Sequence, residues 1–320
     1  EGAPISINYA AKLTGRIGNW NLGMLHVNED RNLGSANSSV ARVSYNIGGL
    51  SSVGMITTYG NSISEATNLV TGVDLNLVTS KFNGNKNVAL MLFGIKSKTQ
   101  NISGDDVTWG ALLNYPNDRI NFKLGHQEIG ENFFTGIGFI PRTNIKETWG
   151  DFTFAPRLNK WGIRQYSIGT GFQYVSDMND VIQNKYINFN PVGIRLNSGD
   201  EFKYSFNYKL ENLVNDFNIF SDVIIPVGEY EWFENEFSLE SAGNRNLNGA
   251  ISYTFGDFYT GTKESTNLEL NWKALVSLFV VGTFSSNKVV LPDNNFAADI
   301  YQINVNILFS PDITLYNLAQ

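Results

Sequence analysis

Cysteine is absent from this chain of 320 residues, and histidine occurs only twice, as His26 and His126. Without cysteine there is no disulfide framework and no thiolate metal site. Acidic residues outnumber basic ones by 30 to 23, which gives a net charge of -7. This charge argues against binding to nucleic acid, because no basic stripe is left to contact phosphates.

Long apolar runs are also missing. The most apolar stretch, residues 274–282, is shorter than the roughly 18 apolar residues that a membrane helix needs. The sequence therefore predicts no transmembrane helix. The first five residues do not resemble a signal peptide and do not begin with Met, so we expect a mature or trimmed piece of a longer protein.

The chain has instead a two-residue alternation of apolar and polar side chains. It is clearest at residues 201–210, where Phe, Tyr and Leu alternate with Glu, Lys, Ser and Asn. This period is typical of a β-strand with one apolar and one polar face. With turn-forming residues as boundaries, the sequence predicts strands at 5–14, 20–28, 39–47, 51–59, 70–79, 87–96, 107–115, 119–126, 148–155, 163–175, 183–196, 201–211, 217–225, 230–240, 247–256, 265–272, 276–285, 298–309 and 313–319.

The connections between these predicted strands alternate in length. Short turns at 15–19, 48–50, 83–85 and 116–118 alternate with longer segments at 28–38, 60–69, 98–106 and 127–147. Outer-membrane barrels have tight turns at one side and longer loops at the other. After residue 175 the long segment 286–296 falls out of phase, which points to one miscounted strand, with Pro191 as the suspected position.

Strand length and the unlike faces favour a membrane barrel. Strands of about 9–11 residues cross the hydrocarbon layer of a membrane. Aromatic residues near many strand ends, among them Trp20, Tyr45, Trp149 and Trp232, would form its interfacial girdles. A soluble β-sandwich, propeller or β-helix would instead need strands with two apolar faces or a visible repeat. The predicted fold class is all-β, a large antiparallel up-and-down transmembrane β-barrel of roughly 18–20 strands.

Several motifs carry a resemblance to a known family: residues 15–20, 52–54, 72–74, 130–133 and 138–142, with weaker ones at 199–200, 256–261 and 291–292. The chain resembles an uncharacterised β-barrel domain of Gram-negative outer membranes, which usually follows a β-sandwich similar to family-9 carbohydrate-binding modules. The resemblance implies that residues 1–320 are a single barrel domain in the outer membrane, incomplete at both ends, with the sandwich upstream. It brings no catalytic residues.

Catalytic residues, a metal site and a cofactor are not predicted. The sequence contains no Gly-x-Ser-x-Gly elbow and no phosphate-binding loop. Glutamates crowd residues 229–240, and Glu234, Glu236 and Glu240 would share one strand face. Two carboxylates can hydrolyse glycosides, but a solvated strand face explains this pattern more simply.

The longest connection, residues 127–147, is the candidate site. Loops of this length are usually functional or disordered, and in barrels they can fold inward and narrow the lumen. The candidates for the loop or constriction are Glu131, Asn132, Phe133, Phe139 and Arg142. We expect the polar ones to pin the loop to the wall and the aromatic ones to pack it. The alternative is that they only hold the loop's own fold.

The predicted function is passage or binding of a solute across the outer membrane. Membrane lipid is the expected partner. Glycans are a further expected partner if the upstream β-sandwich binds sugar. One alternative is a barrel that anchors a surface carbohydrate-binding or glycoside-hydrolysing protein whose active part lies upstream. The other is a secretion-associated scaffold. The chain itself is predicted not to be an enzyme.

Overall fold

The structure is a computed structural model that describes residues 6–31, 34–62, 66–220, 223–292 and 294–320. In these residues no helix is long and apolar enough to span a membrane. The strands are β1 (Ile7–Ile17), β2 (Trp20–Arg31), β3 (Gly34–Ile47), β4 (Ser51–Tyr59), β5 (Asn68–Phe82), β6 (Lys86–Thr99), β7 (Val107–Pro116), β8 (Ile120–Ile129), β9 (Ile145–Phe154), β10 (Arg157–Lys160), β11 (Ile163–Ser176), β12 (Ile182–Leu196), β13 (Glu201–Leu213), β14 (Phe217–Phe220), β15 (Val223–Ile225), β16 (Gly228–Glu240), β17 (Leu247–Phe258), β18 (Gly261–Leu275), β19 (Leu278–Val290), β20 (Asn295–Ser310) and β21 (Ile313–Ala319).

Within the described residues, 19 strands belong to an antiparallel up-and-down sheet, and β14 and β15 form a separate two-stranded hairpin. The predicted all-β, antiparallel, up-and-down fold class is confirmed. Backbone contacts divide the chain into two compact units: unit 1 comprises residues 1–117, 121–150 and 175–182, and unit 2 comprises residues 118–120, 151–174 and 183–320.

Each unit is a meander of neighbouring strands. In unit 1, every strand from β1 to β7 pairs with the next one along the chain. In unit 2, β10 pairs with β11, and pairing then runs from β12 through β13, β16, β17, β18, β19 and β20 to β21. Because neighbours alternate in direction, every second connection lies at the same edge of a unit.

The longest connections of each unit lie at one of its edges, here called the long-loop edge. In unit 1 they are residues 60–67, 100–106 and 130–144, and in unit 2 the longest is 214–227. The opposite edge, the short-turn edge, carries residues 18–19, 48–50 and 83–85 in unit 1 and 161–162, 197–200, 241–246, 276–277 and 311–312 in unit 2. The predicted difference between the two edges is therefore present in unit 1, whereas in unit 2 it depends on the connection 214–227, because 241–246 at the short-turn edge is longer than 259–260 at the long-loop edge.

The expected miscount has a different cause from the one suspected at Pro191. Strand β12 runs through Pro191, and its register shifts between Phe189 and Val192, which is the kind of irregularity that accommodates proline in a sheet. The sheet strand predicted at 217–225 is wrong: residues 217–220 and 223–225 form the β14–β15 hairpin inside the connection 214–227, and residues 221–222 lie outside the described part of the chain. Without it, the alternation of edges continues to the last strand.

The predicted long connection 28–38 is also wrong, because most of it is strand. Strand β2 continues to Arg31 and β3 begins at Gly34. Asn28 donates its Nδ2 to Asn37 Oδ1 at 2.8 Å and accepts at Oδ1 from Asn8 Nδ2 at 2.9 Å. Amide ladders of this kind extend the strands beyond the apolar stretch that sequence patterning detects.

Burial is reversed relative to an ordinary soluble protein. On β13 the aromatic face is open, with Phe206 38% exposed, whereas Asn207 on the polar face is 4% exposed. On β5 in unit 1, Val73 is 57% exposed and Asn68 is completely buried. Aromatic rings cover the open faces in cross-strand pairs, such as Phe206 and Phe233 with centroids 5.4 Å apart. At these positions in both units, the polar face is thus more buried than the apolar face.

Candidate functional site

The connection 130–144, predicted as the candidate loop, packs onto the polar-face side of unit 1. Strands β8 and β9 carry its two ends, and Ile129 and Ile145 at those ends form a buried cluster with Phe133 and Val175. Phe133 is 3% exposed, and Ile140 lies against the same cluster. The aromatic packing predicted for Phe133 is therefore present, and it fixes the loop at its base and near its middle.

Asn68 fastens the loop to strand β5. Its Oδ1 accepts a hydrogen bond from the Gly136 amide at 2.8 Å, and its Nδ2 donates to the Phe134 carbonyl at 3.1 Å and to Thr99 Oγ1 at 2.9 Å. Ser97, on β6, accepts from the Phe134 amide at 3.1 Å. Both side chains are completely buried, so these bonds are made without competition from water.

Glycines let the loop backbone approach its neighbours closely. A Cβ on Gly136 would lie 2.2 Å from the Gly60 carbonyl oxygen, and one on Gly130 would lie 2.1 Å from that of Asp105. Asn132 donates two hydrogen bonds of 3.0 Å, one from its backbone amide to the Asp105 carbonyl and one from its side-chain Nδ2 to the Gly104 carbonyl. The loop is thus bound to the two other long connections of unit 1.

The remaining candidates differ in burial and contacts. Asn132 pins the loop through its two hydrogen bonds, the side chains of Glu131 and Arg142 are exposed, and the buried hydrogen bonds come from Asn68 and Ser97. Phe139 does not pack the loop: its side chain is 85% exposed. Sequence reasoning missed Asn68 and Ser97, because a single amide or hydroxyl on a strand has no distinguishing pattern.

Charged side chains on the polar face of unit 1 meet across a glycine. Arg42 on β3 and Asp74 on β5 form an ion pair, with Nη2 at 2.9 Å from Oδ2, although β4 runs between them. Gly54 on β4 makes room for it, because a Cβ there would lie 2.7 Å from Asp74 Oδ2 and 2.8 Å from Arg42 Nη2. This is a physical role for the glycine of the 52–54 motif.

A second charged group lies on the polar face of unit 2. Glu234 on β16, 2% exposed, binds Lys209 Nζ at 2.8 Å and Lys263 Nζ at 3.2 Å and accepts from Trp232 Nε1 at 3.1 Å. The register places Gly256 between Glu234 and Lys263. Glu234, predicted to share a face with Glu236 and Glu240, is therefore held by two cations rather than paired with another carboxylate.

Apolar side chains cover the polar face of unit 2 at its long-loop edge. Val223 and Ile225 of the β14–β15 hairpin are buried with Val289 and Leu291, next to Tyr230. Tyr259, which packs against the same cluster, donates its hydroxyl to Glu211 Oε2 at 2.6 Å. The connection 214–227 is thus a second long loop that folds over a polar face.

Replacing Glu234 by Gln should destabilise unit 2, because two lysines would lose their counter-charge. Breaking a buried ion pair costs about 3–5 kcal/mol; Lys209 and Lys263 are 33% and 20% exposed, so we expect about 2 kcal/mol. The midpoint of denaturant unfolding measures this loss. Glu236→Gln is the matched control, and an equal shift in both variants would contradict the assignment.

At the short-turn edge of unit 2, the Gly199–Asp200 motif forms a charged clamp. Asp200 accepts two hydrogen bonds from Arg245, of 2.5 and 2.7 Å, one from Ser198 Oγ and one from the Ala242 amide. Arg245, with Ser198 and Ala242, holds the pKa of the Asp200 carboxyl well below its usual range. The stabilisation that these bonds give the folded state is therefore complete at neutral pH, and it is lost progressively as the pH falls below the ordinary pKa of an aspartate and through the lowered pKa of Asp200.

The two histidines are bound separately. His26 Nδ1 lies 2.8 Å from Ser39 Oγ, and His126 Nδ1 lies 2.8 Å from Thr148 Oγ1. In the part of the chain that the structure describes, no three histidine or acidic side chains come close enough together to hold a metal ion.

No protein-family model matches the chain, and no curated protein matches its sequence. Two solved structures are similar to it, both from Pseudomonas aeruginosa. OccK3 (OpdO) has 11% sequence identity and a TM-score of 0.47, with 94% of this chain and 91% of that chain covered. OpdQ has 11% identity and a TM-score of 0.44, with 96% and 95% covered. At these values the likeness defines no family for the chain.

Proposed function

We propose that this chain is a transmembrane β-barrel of the outer membrane that lets a solute pass along its polar face. The observation that carries this is the reversed burial of the two strand faces. So many exposed apolar side chains are unfavourable in water, and soluble monomers seldom expose large contiguous apolar patches. Lipid can cover these side chains, and a closed barrel is the only sheet whose backbone groups are all hydrogen-bonded in lipid.

Strand geometry supports the proposal. Most of the sheet strands have 9 to 16 residues, enough for a tilted strand to cross a bilayer, which takes about 9–11 residues. The polar face carries amides, hydroxyls and ion-paired charges, such as Asn207 and the Glu234 group. Water and a polar solute can contact such a surface. Binding of glycans, an anchoring role and a role in secretion remain predictions.

The experiment is extraction and reconstitution. The folded protein should require detergent, migrate differently on gels before and after heating, and produce discrete conductance steps in planar bilayers. A protein that stays monodisperse without detergent would refute the membrane assignment. A protein that inserts without conducting would refute solute passage only.

The connection 130–144 is proposed as a constriction of this passage. Its support is the anchoring by Asn68 and the packing of Phe133 on the polar-face side. Deletion of residues 131–142 should raise the single-channel conductance. An unchanged conductance in a deletion variant that still inserts would remove the constriction from the proposal.

A further inference from the structure

The turn between β10 and β11, at the short-turn edge of unit 2, carries a tryptophan in an unusual place. Trp161 and Gly162 both have positive φ, of 54° and 77°, and Trp161 is 89% exposed. Two-residue turns of this kind favour Asn-Gly, and a bulky side chain is rare at positive φ. An exposed indole held in a disfavoured backbone conformation points to a role outside the fold.

Lys160 and Arg164 flank this turn, and Arg119 lies near it beside Ala155, whose amide donates to the Arg119 carbonyl at 2.8 Å. Arg119, Lys160 and Arg164 are all exposed, and among the described residues no acidic side chain pairs with any of them. By contrast, the neighbouring Arg157 is neutralised by Asp118 through two hydrogen bonds of 2.8 and 2.9 Å. A local surplus of positive charge is notable in a chain with a net charge of -7.

Arg119 and Arg164 lie where the apolar face meets the short-turn edge, whereas Lys160, which is paired with Ile163, extends from the other face at the end of the turn. The two-residue period of β11 places Arg164 on the same face as Phe172, which is 41% exposed. The guanidinium of Arg119 stands 5.5 Å from the ring centroid of Phe154. Apolar surface that ends in basic and aromatic side chains is the arrangement found at the boundary between hydrocarbon and lipid headgroups.

We propose that a group of four side chains, here called the basic tip, binds the anionic headgroups of phospholipids. The basic tip consists of Arg119, Lys160, Trp161 and Arg164. The proposal rests on the proposed function for the presence of a membrane at this edge. Charge complementarity selects the anionic headgroup, because basic side chains are attracted to a negative lipid surface. Phospholipid, rather than lipopolysaccharide, follows from the position at the short-turn edge, since the tight turns of outer-membrane barrels face the periplasm.

The test is a lipid titration of the full chain in detergent, read by mass spectrometry of the intact complex. Phosphatidylglycerol is the anionic phospholipid, phosphatidylcholine the neutral one, and lipopolysaccharide the other anionic lipid. The variants are K160S/R164S, which removes two cations, and W161N, which suits positive φ and so relieves the turn. V276N, at another exposed short turn of unit 2, is the matched control.

Wild-type protein and V276N should prefer phosphatidylglycerol over phosphatidylcholine. K160S/R164S should bind phosphatidylglycerol about 25-fold more weakly, at about fivefold for each cation removed, while W161N should lose affinity without losing its fold. Unchanged phosphatidylglycerol binding in K160S/R164S would overturn the proposal. Preferential binding of lipopolysaccharide that the double variant loses would overturn the choice of phospholipid.

Heat-modifiable migration and insertion into phosphatidylcholine vesicles are measured in parallel. If wild-type protein does not insert, the proposed function fails, whatever the titration gives. If all variants insert and conduct normally while their preference for phosphatidylglycerol equals that of wild type, only the basic tip fails.

Discussion

Phe206→Lys is expected to prevent stable membrane insertion. Phe206 lies on the open aromatic face of β13, stacked on Phe233. A lysine on the lipid face near the bilayer midplane costs about 2–4 kcal/mol, and it also removes the aromatic pair, worth about 0.5–1.5 kcal/mol. The fraction of protein that becomes heat-modifiable after refolding into vesicles measures the effect.

The control is the same charge on the other face. Asn267 on β18 is exposed on the polar face, where it is hydrogen-bonded to Ser252 and Ser285, and Asn267→Lys should insert almost as well as wild type. Insertion of the Phe206 variant together with failure of the Asn267 variant would mean that the faces had been exchanged.

Asn207, the neighbour of Phe206, is not a suitable control. From the sequence alone, a charge at Asn207 is expected to be tolerated. In the structure its Oδ1 accepts hydrogen bonds from Tyr186 at 2.9 Å and Asn188 at 2.6 Å, and it stands opposite Glu234. A carboxylate there would replace a hydrogen-bonded amide next to an existing negative charge, so Asn207→Asp should be destabilising, contrary to the expectation from the sequence.

Most of the strand order was predictable because a two-residue period and turn residues are local signals. Residues 201–211 illustrate this: the pattern identified β13, its two faces and its approximate ends. Residues 217–225 show the limit. Their Phe and Ile content resembles a sheet strand, but β14 and β15 pair with each other, and Ile225 is buried against residues far along the chain, Val289 and Leu291.

The positions of aromatic residues near strand ends were less predictable, because they too depend on contacts with neighbouring strands. Trp20, 52% exposed and packed on Tyr45, fits the expected interfacial belt. Trp149 and Trp232 do not: Trp149 fills the space above Gly125, and Trp232 is buried beside Glu234. Their face is set by the register of neighbouring strands, which a single residue near a strand end does not reveal.

The candidate loop was recognisable from its length, whereas its anchor was not. Residues 130–144 stand out in the sequence as a long connection rich in Gly and Phe. Asn68 lies more than sixty residues earlier and reaches Gly136 across a sequence separation of 68. Contacts at this distance in sequence depend on the completed meander, so the loop has a local sequence signal and its anchor does not.

Asn68→Ala is therefore expected to release the loop 130–144 without unfolding unit 1. The substitution removes all three bonds of the Asn68 side chain and leaves the Gly136 amide and the Phe134 carbonyl without that partner. Each unsatisfied buried group costs about 1–3 kcal/mol, so docking of the loop should weaken by about 3 kcal/mol or more. Amide exchange at Gly136 should accelerate about 100-fold.

Asn76→Ala is the matched control, because Asn76 lies on the same strand and the same face as Asn68 but farther from the loop. In the Asn76 variant, the Gly136 amide should exchange at the wild-type rate. The gel migration of both variants should remain heat-modifiable. Trypsin cleavage after the exposed Arg142 gives a second readout, faster in the Asn68 variant alone. If the Gly136 amide exchanged equally slowly in both variants, the loop would be held by Phe133 and its apolar cluster, and Asn68 would not contribute to holding it.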